Sequence, residues 1–158
     1  MNNNYDLNAF ADDFPEYREC VGVLVTHGPK HILLLRRSAQ EDSMIGLWEL
    51  AGGKVEEGET LLEAALLELR EETGLVPQEG ESLHYIGTDH DHDKKKRYHL
   101  FTYEINSQNR DLDEVKVTCS FEHDAFQWLT PTGVRRLNRT GEMVSHHLMR
   151  FMSWLCLW

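Results

Sequence analysis

The chain has 158 residues, the size of one ordinary domain, and its 41% hydrophobic and 27% charged content excludes a disordered chain. A formal net charge of −11 excludes nonspecific attraction to nucleic acid or to an anionic membrane surface, so a polyanionic ligand would need a local divalent cation. Three widely spaced cysteines, Cys20, Cys119 and Cys156, exclude a disulfide scaffold and point to a reducing compartment.

Met1 to Asp13 is polar and acidic, which excludes a signal peptide, and no apolar run approaches the roughly 18 residues of a membrane span. The expected location is the cytoplasm. Residues 1–16 read as a loose arm, and residues 17–158 as a single domain. Cys20–Thr26 and His31–Arg37 are β-branched or leucine-rich runs around the turn His27-Gly28-Pro29-Lys30, and predict a hairpin. Ser38–Gly46 reads as a loop. Trp48–Leu50 reads as a short strand ended by Gly52-Gly53.

The clearest helix follows. Thr60 is an N-cap with Glu63 three residues on, completing a capping box, and Gly74 stands where a left-handed C-terminal cap belongs. Leu62, Leu66, Leu69 and Thr73 form one stripe, expected to face the core. Ser82–Thr88 and Arg97–Ile105 predict two strands joined by the charged loop Asp89–Lys96, and Ala125–Thr130 a last strand. Pro131 opens a helix to about Asn138. After Gly141, Val144, Leu148, Phe151, Met152 and Leu155 share one helical face. These elements predict an α/β fold: a mixed sheet packed between helices.

Glu71 and Glu72 lie about 60° and 40° to either side of Glu68 on the helical wheel, on a face expected to turn away from the leucine stripe. Like charges at this spacing repel, and a divalent cation relieves the repulsion. Hard oxygen ligands with room for water and phosphate describe a Mg²⁺ or Mn²⁺ site. A solvated face of an acidic protein is the competing reading.

The wider pattern carries more information. Gly53 is followed by five residues and Glu59, then by seven and the run Leu67-Glu68-Leu69-Arg70-Glu71-Glu72-Thr73-Gly74-Leu75. This resembles the Nudix box, in which Gly, Glu and a final Arg-Glu-U-x-Glu-Glu-x-Gly-U segment recur at these spacings, with U a bulky aliphatic. Eight positions match: Gly53, Glu59, Glu68, Leu69, Glu71, Glu72, Gly74 and Leu75. The flanks, Arg36-Arg37 and Gly46 to Glu56, are similar to MutT-type members. Leu67 departs from the pattern, standing where the box has Arg.

The resemblance implies an α/β/α sandwich and a hydrolase that cleaves a diphosphate bond in a nucleoside di- or triphosphate derivative with Mg²⁺ or Mn²⁺. It implies Glu68, Glu71 and Glu72 as metal ligands, one of them able to act as base, with the Gly52 carbonyl as a further ligand and Glu59 in support. Members often use a further glutamate some forty or more residues beyond the box as ligand or base. Glu122 is the candidate here, with a surface loop glutamate as the competing reading, since Gln127 stands directly before Trp128 where some members have the carboxylate. The box Arg would hold the carboxylates in place. Leu67, one turn before Glu71, cannot, and this motivates the alternative of a nucleotide-binding or regulatory module with weak catalysis.

Arg36 and Arg37 are candidates to grip phosphate, although strand alternation sends them to opposite faces. Lys54 is a third cation beside the double glycine. Trp48, Phe101, Tyr103 and Trp128 are candidates to stack on a base, or core residues. Asp89 to Asp93 alternates Asp and His. It reads either as a metal site or as a solvated hairpin loop whose charge Lys94 to Arg97 balances. The apolar tail Trp154 to Trp158 suggests a cap on the core or a contact with a second copy of the chain.

Overall fold

A computed structural model describes residues 14–155. Residues 1–13, Cys156 and the last two tail residues lie outside it. Seven strands form one mixed sheet: β1 (Arg18–His27), β2 (His31–Arg37), β3 (Trp48–Glu49), β4 (Ala51–Lys54), β5 (Leu83–Asp91), β6 (Lys96–Ile105) and β7 (His123–Leu129). Among the described residues there are also three α-helices, α1 (Leu61–Thr73), α2 (Pro131–Arg139) and α3 (His146–Trp154), and a short 3-10 turn at Leu112–Glu114.

β1 pairs in parallel with β6 along its whole length and antiparallel with β4, while β2 pairs with β3 and β7. The expected β1–β2 hairpin pairs only near its turn, Thr26 with Ile32 and His27 with His31. Beyond that the strands part, and the partners of both come from distant segments.

Period-two alternation divides the core. Val21, Val23 and Val25 of β1, Leu33 and Leu35 of β2, and Phe101 and Tyr103 of β6 pack with Leu61, Ala65 and Leu69 of α1. Leu24, Ile32, Leu34 and Leu100 point the other way, onto Val134 of α2 and Leu148, Phe151 and Met152 of α3. The result is the expected α/β/α sandwich. The shared apolar face read for α3 is the one that packs.

α1 has the caps its sequence signals. Thr60 and Glu63 exchange hydrogen bonds, and Gly74 closes the helix at φ 73°. Its buried face differs from the expected stripe. Leu66 is exposed and Leu62 only partly covered, whereas Leu61, Ala64, Ala65, Leu69, Glu72 and Thr73 are buried. The small alanines bring this face close to β4, and the leucines at 62 and 66 fall off its edge.

Two further expectations change. β4 runs through Gly52-Gly53 rather than ending there. The β5–β6 hairpin also continues past Thr88, so Asp89 is paired with Tyr98 in the sheet and buried. It binds His147 Nδ1 and Arg150 of α3, each at 2.7 Å. Asp89 is therefore a sheet-to-helix anchor, not part of a solvated loop. Arg97 is also buried; its ion pair is with Glu19, and within the run it donates only to the His90 ring, at 3.4 Å. At the N-terminal arm, Phe14 stacks on Tyr17, with ring centroids 4.7 Å apart, and both rings meet His90 and His92.

Candidate active site

Three segments meet at one corner of the α1 face: the double glycine of β4, the second half of α1, and the start of β7. Gly52 stands opposite Gly22 and Gly53 opposite Val21. A Cβ on Gly52 would strike the Val21 carbonyl oxygen, and a Cβ on Gly53 would strike the Glu68 carboxylate. Both glycines are required by close approach, one to the neighbouring backbone and one to a functional side chain.

Glu68 and Glu72 therefore do not face away from the core, whereas Glu71 does. Glu72 lies within about 20° of Leu61 and Ala65 on the wheel, and Leu66 about 120° from it. Glu72 is 4% exposed, and one of its carboxylate oxygens accepts a 2.8 Å hydrogen bond from the Gly52 N–H. Glu68 is half-buried over Gly53, and Glu71 is exposed. Glu59 is bonded to the Glu56 N–H at 3.0 Å, holding the turn before α1.

The electrostatics follow from this packing. Burial pushes the Glu68 carboxyl up to about 7, and repulsion from Glu71, Glu122, Glu59 and Glu56 adds to it. Burial also pushes the Glu72 carboxyl well above the usual carboxylate range. The Gly52 bond opposes that shift, and Glu68, Glu49 and Glu122 reinforce it. Glu122, far away in sequence, thus belongs to the same field. So does Glu49, which sequence reasoning passed over although it sits in the flank beside Trp48.

The two arginines go to opposite faces. Arg36 pairs with Asp124 at 2.7 Å and lies 5.7 Å from the centre of the Trp48 ring. Arg37, on the α1 face, binds the Ser43 carbonyl, Glu41 and Glu49. Trp48 is 3% exposed within the second core, its indole N–H directed at Glu142, so its ring offers no free face to a base. Phe101 and Tyr103 are core residues, and Trp128 packs against the first cluster. Lys54 is exposed at the end of β4.

The donor set suits a hard divalent cation, since it consists of carboxylate oxygens whose mutual repulsion a cation would offset. Among the described residues no three carboxylate, imidazole or thiol side chains converge on one point in this arrangement. That finding also leaves the Asp89–Asp93 run without a metal-binding geometry.

The family profile described as NUDIX domain matches residues 16–150. The CTP pyrophosphohydrolase of Escherichia coli K12 is 34% identical over 113 residues, which cover 72% of this chain and 76% of that protein. An RNA pyrophosphohydrolase of Agrobacterium fabrum is 29% identical over 136 residues, covering 75% and 79%. Among solved structures, the MutT protein from Methanosarcina mazei has a TM-score of 0.65 at 22% identity, covering 87% of this chain and 92% of its own. The E. coli ORF135 protein has a TM-score of 0.62 at 25% identity and covers 89% of both chains.

Proposed function

This chain belongs to the Nudix family, and we propose that it is a pyrophosphohydrolase that uses Mg²⁺ or Mn²⁺ to cleave a diphosphate bond in a nucleoside di- or triphosphate derivative. The observation that carries this reading is the seating of Glu68 and Glu72 on Gly52-Gly53, with Glu122 and Glu49 in the same field.

Glu68, Glu71 and Glu72 would hold the ion, with the Gly52 carbonyl as a further oxygen. A bound divalent cation neutralises phosphate charge and lowers the pKa of a bound water. The chain's own contribution is arrangement. The Gly52 N–H holds Glu72 in one position, and the bare backbone of Gly53 admits Glu68. Glu68, half-buried among acidic neighbours, is one candidate to take a proton from an attacking water. Glu122 is the second candidate for that role. Lys54 and Arg37 are the cations on this side available to a phosphate chain; Arg37 would have to loosen its present bonds to reach it, and Arg36 lies on the opposite face of the sheet.

Leu67 favours the alternative of a binding module with weak catalysis. Against it, Glu72 has an anchor that does not depend on position 67. The relatives are named for CTP and for RNA, which makes nucleotide-derived diphosphates the first compounds to test. The reducing-compartment cysteine usage supports a cytoplasmic location, and no described helix is long and apolar enough to cross a membrane. A second copy of the chain remains the partner suggested by the apolar tail, of which Trp154 is exposed.

Pyrophosphate and phosphate release from a panel of nucleoside triphosphates, nucleoside diphosphate sugars and 5′-triphosphorylated RNA, with Mg²⁺, tests this reading. Turnover of at least one class supports it. Binding without turnover across the panel favours the module.

A further inference from the structure

The pairing of β2 with β7 shifts register at the site. Arg36 stands opposite Ala125, but Arg37 stands opposite His123, so Asp124 is an extra residue, and it reaches out to Arg36. Bulges of this kind re-aim the side chains beside them. Here the bulge leaves His123 beside Arg37, one residue after Glu122.

His123 is held from its side chain. Its ring is 1% exposed, and Nε2 lies 3.1 Å from Glu49 Oε1. Arg37 Nη1 donates to that same oxygen at 3.3 Å. Facing a carboxylate, Nε2 bears the proton, so Nδ1 is a bare acceptor. That Nδ1 is buried with no hydrogen-bond partner among the described residues. An unsatisfied buried acceptor is destabilising, and a phenyl ring would fill the same space without that cost. The imidazole therefore owes its place to the bond with Glu49 rather than to packing.

The backbone of Glu122 is tethered as well. Its N–H donates to Ser120 Oγ at 3.3 Å, and its carbonyl accepts from the Ser38 N–H at 2.8 Å. The Ser38 hydroxyl donates to the Phe121 carbonyl at 2.7 Å. The half-buried Glu122 thus has its backbone held by Ser120 and Ser38, and the next residue in the chain is held through its ring.

We infer that His123 is a positioning residue: clamped through Glu49 to Arg37, it holds Glu122 against Glu68 and Glu72. The inference rests on the proposed hydrolase reading. The contribution of Glu122 to the field at both helix carboxylates fits this placement. The clamp also supplies, from β2 and β3, some of the order that an arginine at position 67 would have given from the helix.

The test is a double-mutant cycle on the full chain, using the best substrate of the nucleotide panel. His123→Phe is expected to lower kcat about tenfold or more with KM within about twofold, and to melt no lower than the parent. His123→Gln, which keeps a donor near Nε2, is expected to recover most of that loss and covers the case in which Phe misfolds. On a Glu122→Gln background, His123→Phe is expected to change kcat by less than about twofold. Multiplicative losses, a change carried by KM, or equal damage from Gln and Phe would overturn the inference. If the parent turns over no nucleotide, the hydrolase reading fails, and the clamp is read separately by carboxyl ¹³C NMR. Glu68→Gln should move the Glu122 carboxyl resonance in the parent and not in His123→Phe. A resonance that responds equally in both overturns the clamp.

Discussion

The Glu72 carboxylate is 4% exposed and takes a 2.8 Å hydrogen bond from the backbone N–H of Gly52. A buried acid and a side-chain-free strand are thereby made into one unit. The close approach of α1 to β4 that this bond requires also lodges Glu68 on Gly53.

The two glycines make different predictions. Gly52→Ala places a methyl against the Val21 carbonyl, which is backbone and cannot move aside cheaply. It should destabilise by about 1–3 kcal/mol, seen as a drop in melting temperature. Gly53→Ala meets only the end of the Glu68 side chain, which can swing away. It should melt close to the parent yet lose about tenfold or more in turnover. Equal losses of stability in both variants would contradict the assignment of these two contacts.

Glu68 predicts a pH dependence for the metal-free protein. Its folded carboxyl titrates at about 7 against a reference of 4.5, so between those values the folded state holds a proton the unfolded state has lost. Stability then falls as pH rises through that window, and Glu72, raised by burial, acts in the same direction. Thermal melts from pH 4.5 to 8 should show this decline. Glu68→Gln should flatten it, and Mg²⁺ should offset it at the upper end by binding the ionised, folded form. A decline unchanged in Glu68→Gln would count against the buried seat.

Leu67 is partly buried and belongs to neither core cluster. Leu67→Arg should therefore fold, and it would sit one turn before the exposed Glu71, at the spacing where such pairs contribute about 0.2–0.5 kcal/mol. Because Glu72 is already held by Gly52, the expected gain in turnover is real but below about tenfold. The rate and the melting temperature of the same preparation separate a catalytic gain from lost packing. A normally folded variant that is no faster would mean that Glu71 needs no such support.

Much of this was legible because it is local. The capping box of Thr60 and Glu63, the left-handed Gly74 and the bounds of β2 depend on neighbours within a few residues, as does the apolar face of α3. The box spacing singled out residues that the fold gathers at one corner of the molecule. What sequence could not show was which side of α1 meets the sheet. Leucines at 62 and 66 outweigh alanines at 64 and 65 on hydrophobicity, but the small residues are the ones that fit against Gly52-Gly53. Glu49 and His123 escaped notice for the same reason, since 74 residues separate them and only the β2–β3–β7 pairing brings them together. Asp89 looked solvated because its partners, His147 and Arg150, lie in a helix about sixty residues on.

The central claim is that the carboxylates seated on Gly52-Gly53 are the catalytic element, and steady-state turnover of Glu72→Gln with Mg²⁺ tests it most directly. Glutamine can keep the Gly52 hydrogen bond through its amide oxygen but loses the charge that would hold an ion. The account predicts a loss of more than about tenfold in kcat for Glu72→Gln and for Glu71→Gln, with melting temperatures at or above that of the parent. Unchanged turnover in both, from normally folded protein, would contradict it and move the chemistry away from α1.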